Sequence, residues 1–123
     1  MSDLSILPTD DTPKVISENS GVTLSISGRS LPEDAITFYN PVIDWLKKYV
    51  ASPKPESNFD FHFEYISTSS TKQIMKLFLM INELSKSNKV NVIWNFDKDD
   101  EDMKQTGKRL QKLTTIDFDY REV

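Results

Sequence analysis

A single α/β domain, with a central, mostly parallel sheet, an N-terminal hairpin and helices packed on the sheet, is the fold this sequence predicts. Runs of strict period two alternate along the chain with apolar stripes of helical period. That alternation is the pattern of parallel strands joined by crossover helices. With 123 residues, 37% of them hydrophobic, and no internal repeat, the chain suits one core.

Residues 1–12 are rich in turn formers, with Pro8, Thr9, Asp10, Asp11 and Thr12, and are expected to form a flexible arm ahead of a single domain at 13–123. Two short alternating runs, Lys14 to Ser17 and Val22 to Ser27, flank Glu18-Asn19-Ser20-Gly21, where Asn and Gly supply turn geometry, so an opening hairpin is expected. Ser30 or Leu31 is then a candidate N-cap, with Pro32 in the first turn and Glu33 and Asp34 beside the positive end of the helix dipole. Phe38, Val42, Trp45, Leu46 and Tyr49 follow as an apolar stripe. Pro41 removes one donor, so a helix broken there and ending near Val50 is predicted.

The clearest strand is Phe59, Phe61, Phe63 and Tyr65, alternating with Asp60, His62 and Glu64. Ser67-Thr68-Ser69-Ser70-Thr71 interrupts it, and Ile74, Leu77, Phe78 and Ile81 mark a buried helix face, with Met75 and Leu79 nearer a binding surface. Lys89 to Phe96 is β-branched and aromatic, as a mostly buried strand should be. Asp97 to Asp102 leads into a third helix carrying Met103, Leu110 and Leu113, and Ile116, Phe118 and Tyr120 form a last strand. The predicted order is ββαβαβαβ.

The residue inventory argues against catalysis. There is no cysteine and a single histidine, His62, on the polar side of its strand, and neither a nucleophile elbow nor a phosphate loop occurs. Glu33, Asp34 and His62 match no recognisable catalytic frame. The acidic run Asp97 to Asp102 fails as a calcium loop, because its sixth position is Asp102 and its twelfth is Lys108 where Gly and Glu are needed. No metal or cofactor is therefore expected. A net charge of −4 disfavours nucleic acid. The absence of a signal-like N-terminus or long apolar run points away from membranes and toward the cytoplasm.

Five consecutive hydroxyl residues at a strand-to-helix junction are more than a cap requires. They suit a phosphoacceptor, because helix N-terminal amides tolerate a phosphate. A small-ligand or nucleotide-binding domain using the same helix start is the competing reading. It is disfavoured because no glycine lies between Tyr65 and Lys72.

Four segments in order resemble the SiaC-type regulatory phosphoproteins, single-domain bacterial proteins of biofilm signalling. They are Ser27-Gly28-Arg29-Ser30-Leu31-Pro32-Glu33-Asp34, Val42-Ile43-Asp44-Trp45 within Tyr39 to Tyr49, Tyr65-Ile66-Ser67-Thr68-Ser69-Ser70, and Trp94-Asn95-Phe96-Asp97. Spread in this order, they extend the similarity over nearly the whole chain after residue 12. The resemblance implies an α/β domain similar to STAS-type anti-sigma factor antagonists, and it implies partner switching in cyclic-di-GMP signalling. Thr68 matches the phosphorylated threonine of a Y-x-N-T-S-S segment, with Ser67 standing where Asn is usual. The implied partners are a protein kinase, a metal-dependent serine/threonine phosphatase and an effector such as a diguanylate cyclase, engaged by the unphosphorylated form. Around Thr68, the loop residues Tyr65, Ser67, Ser69 and Ser70, and a surface of Arg29, Glu33, Met75 and Leu79, are the expected contact residues.

Overall fold

The computed structural model describes residues 3–123. Among these the chain forms six strands and three helices: β1 (Ser5–Ile6), β2 (Lys14–Asn19), β3 (Val22–Ser30), α1 (Ala35–Ala51), β4 (Glu56–Ile66), α2 (Thr68–Ser85), β5 (Lys89–Phe96), α3 (Glu101–Gln111) and β6 (Phe118–Glu122). The strands lie in one sheet in the order β1-β2-β3-β4-β5-β6. The first two pairings are antiparallel and the last three parallel.

Each parallel connection steps to the adjacent strand, and right-handed crossovers then put all three helices on the same face. Burial follows that geometry. Leu24 and Ile26 of β3, Phe59, Phe61 and Phe63 of β4, and Val92 and Trp94 of β5 meet Tyr39, Leu46, Ile74, Leu77, Phe78 and Ile81 in one core. The opposite face carries Ser25, Ser27, Asn58, Asp60, His62, Asn91 and Asn95, and side-chain amides tie its strands together: Asn91 donates to Asn58 Oδ1 at 2.8 Å and Asn95 to Asp60 Oδ1 at 2.8 Å. Burial raises the Asp60 carboxyl above its ordinary value in spite of the Asn95 bond.

The N-terminal segment departs from expectation. Met1 and Ser2 lie outside the described residues, but Ser5 and Ile6 form an extra strand on β2. Leu4 N donates to Ser17 Oγ and Ser17 N to Leu4 O, and Leu4 and Ile6 pack against the core. Two apolar side chains at period two suffice once a partner strand is present. The hairpin turn also differs: Asn19 pairs with Val22, so Ser20 and Gly21 form the two-residue loop, at φ of 53° and 83°.

The first helix begins later than expected and is unbroken. Asp34, not Ser30 or Leu31, caps it by accepting from Thr37 N at 3.1 Å, a bond that holds the Asp34 carboxyl below its ordinary value. Pro41 lies on the exposed side, where the carbonyl it leaves unpaired reaches water, while Tyr39, Val42, Ile43 and Leu46 anchor the helix across it.

Candidate functional site

The junction of β4 and α2 is shaped first by an irregularity in the sheet. Gly28 pairs with Phe63 but Arg29 with Tyr65, so Glu64 is an extra residue in β4. The bulge breaks the alternation that would have buried Tyr65. Its ring is instead exposed, with the Arg29 guanidinium 5.7 Å from its centroid. Arg29 Nε also donates to Asp10 O at 3.2 Å.

The five hydroxyls divide their work. Ser67 is the N-cap of α2, its Oγ accepting from Ser70 N at 3.1 Å, and its own N–H donates to Ser30 O at 2.9 Å across the strand ends. Thr71 Oγ1 bonds back to Ser67 O at 2.9 Å. Ser70 is fully buried: Ser30 Oγ donates to its Oγ at 2.9 Å and Ser67 Oγ at 3.0 Å, while Ser30 also pairs with the Tyr39 hydroxyl. Burial pushes the Tyr39 hydroxyl up to about 12. This chain of hydroxyls links α1, β3 and α2, and takes Ser70 out of reach of a partner.

Thr68 and Ser69 remain. Thr68 is the first residue of α2 and exposed, and its side chain makes no hydrogen bond among the described residues. It edges a groove of about 380 Å³ between α2 and α3, lined by Ile66, Met75, Leu110 and Leu113 and bordered by Arg109. Ser69 belongs to a second groove, of about 550 Å³, between the starts of α1 and α2, with Glu33, Asp34, Ile36, Lys72 and Gln73. Among the described residues the buried Gln73 Oε1 has no hydrogen-bond partner.

The structure therefore distributes the expected contact residues around the start of α2. Met75 shares the Thr68 groove, Glu33 shares the Ser69 groove, and Arg29 and Tyr65 form a cation–ring pair at the strand ends. Leu79 is exposed one turn beyond Met75 on α2. Ile74, Leu77, Phe78 and Ile81 are fully buried, as the stripe predicts. Sequence reasoning missed the Tyr39–Ser30–Ser70 network and Arg109, the latter written only as a basic residue in the last turn of α3.

His62 Nε2 bonds Asp97 Oδ1 at 2.8 Å on the sheet face away from the helices, apart from Glu33 and Asp34. Asp100 caps α3 by accepting from Met103 N at 3.0 Å, with Glu101 and Asp102 in the first turn. Among the described residues no three His, Cys, Asp or Glu side chains are grouped to hold a metal ion. Among them, too, no helix is long and apolar enough to cross a membrane.

A family model described as SiaC family regulatory phosphoprotein matches residues 6–123. The chain is 27% identical over 119 residues to an uncharacterised protein of Pseudomonas aeruginosa (strain UCBPP-PA14), covering 96% of this chain and 94% of that one. Its fold is similar to the solved structure of SiaC of Pseudomonas aeruginosa, with a TM-score of 0.89 at 26% identity and all of both chains covered. It is also similar to a chain in the crystal structure of the diguanylate cyclase SiaD in complex with its activator SiaC from Pseudomonas aeruginosa, with a TM-score of 0.90 at 25% identity, covering 98% of this chain and 100% of that one.

Proposed function

This chain belongs to the SiaC family of regulatory phosphoproteins, and from that we propose that it is a non-catalytic switch that binds and regulates a diguanylate cyclase while Thr68 is unphosphorylated. A kinase adds the phosphate and a metal-dependent phosphatase removes it. The observation that carries the reading is the state of Thr68: exposed, with no side-chain hydrogen bond among the described residues, at the first position of a helix whose start is otherwise locked by hydrogen bonds. Modification there adds about −1.5 to −2 of charge beside the positive end of a helix dipole, where the fold tolerates it. A partner seated on the adjoining groove meets a bulky dianion and is displaced. The relative in complex with SiaD, itself called an activator, supports a cyclase as the effector.

The test is a titration of the purified protein against a SiaD-type cyclase of its source organism. Thr68→Ala is expected to bind as the unmodified wild type does. Stoichiometric phosphorylation, placed by intact-mass and fragment analysis, should weaken binding at least tenfold, and Thr68→Glu only partly, since a carboxylate has less charge and fewer acceptor oxygens. A kinase product modified elsewhere, or unchanged affinity after full modification of Thr68, defeats the assignment.

A further inference from the structure

We propose that Arg109 receives the phosphate carried by Thr68, so that modification closes the groove between α2 and α3. The inference rests on the reading of Thr68 as the phosphoacceptor and adds how the modified state is held.

Thr68 and Arg109 border the same groove, one from the first turn of α2 and the other from the last turn of α3. Side chains on a helix lean toward its N-terminus. Arg109 does so, donating from Nη2 to Thr106 Oγ1 at 3.1 Å, on the same groove. Among the described residues Arg109 forms no salt bridge, so pairing with a phosphate breaks no carboxylate contact. Its guanidinium presents a planar fork of donors that matches two phosphate oxygens at once.

The nearby cations are placed otherwise. Lys104 lies over the Phe96 ring at 5.6 Å and Lys108 over Tyr120 at 3.9 Å. Arg29 is held by Asp10 O and the Tyr65 ring, and Lys72 lines the other groove with Ser69. Arg109 is thus the basic residue that lines the groove Thr68 faces. A phosphate bonded to it draws the guanidinium across Ile66 and Met75, the apolar wall open in the unmodified protein. The switch then has two parts: charge repels a partner, and the arginine occupies its seat.

The test installs phosphothreonine at position 68 by genetic encoding in the full chain, so the result does not depend on any kinase. Phosphorus NMR follows the second phosphate ionisation in the wild-type background and in Arg109→Ala and Arg109→Lys. Circular dichroism and melting of the unmodified variants check that each folds. Pairing with Arg109 lowers the midpoint by about half a pH unit or more relative to Arg109→Ala, with Arg109→Lys between. Coincident titration curves for wild type and Arg109→Ala overturn the proposal, whatever the kinase site proves to be. A kinase product modified elsewhere would refute the regulatory reading while leaving the encoded Thr68–Arg109 pairing measurable in its own right.

Discussion

Gly107 gives a sharp test of how α3 sits on the sheet. A Cβ added there would lie 2.6 Å from Trp94 Cδ1 and Nε1 and 2.8 Å from Cε2, about 1 Å inside ordinary carbon contact. Trp94 has no room to yield: it is fully buried between Phe61, Phe63 and Phe78, and its Nε1 donates to Met103 O at 3.0 Å. The helix must therefore lift. Overpacking of this kind costs about 1–3 kcal/mol, and a stretched or lost indole bond adds about 1 kcal/mol. The helical preference of Ala over Gly returns about 1 kcal/mol. The balance for Gly107→Ala is a loss of about 2 kcal/mol, or roughly 8 °C in Tm for a domain of this size. Thermal melts followed by circular dichroism and urea titration would measure it. Trp94→Val removes all three colliding atoms, so a double-mutant cycle should show a favourable coupling of about 1 kcal/mol. Propensity alone predicts the opposite sign, so a Tm equal to or above wild type would refute the account.

Three further outcomes are expected. Leu77→Ala, at a fully buried site, should cost about 2–5 kcal/mol in urea unfolding, whereas Met75→Ala, at the half-buried groove, should weaken binding of the proposed partner more than folding; equal losses of stability would erase that division. Tyr39 titrates near 12 when folded and near 10 when unfolded, so its contribution is complete below pH 10 and lost as the pH rises to 12, about 2–3 kcal/mol in all. Unfolding of Tyr39→Phe between pH 9 and 12 should lack that decline, and parallel curves for the two proteins would count against burial as its cause. Phosphothreonine at 68 should leave the far-ultraviolet circular dichroism of the domain unchanged; loss of helical signal would place Thr68 in the structural core of the junction.

Much of the architecture was legible because period-two and helical stripes report burial directly. Phe59, Phe61 and Phe63 read as one strand face and are one. Tyr65 continued the same pattern in the sequence, and only the pairing with β3 shows the bulge that turns it outward. Pro41 misled for a related reason: the local rule prices a lost donor, but the outcome depended on which side of α1 the ring occupies. At the candidate site, position and residue type marked Thr68 as a helix start. They could not separate it from Ser70, whose hydroxyl is spent on Ser30 and Ser67, because that distinction is made by a residue 40 positions away. Arg109 was invisible for the same reason, since a groove between two helices has no sequence signature.

The consecutive order of the strands has a consequence for how the chain assembles. Every strand from β2 to β6 joins the outer edge of the one made just before it, and none must be inserted between two already paired. As the polypeptide leaves the ribosome, each helix can fold down over a sheet that already exists, and no earlier pairing has to be undone. At the sheet edge beside β5, β6 carries the sequence Phe118-Asp119-Tyr120-Arg121-Glu122, whose charges discourage a second chain from pairing there.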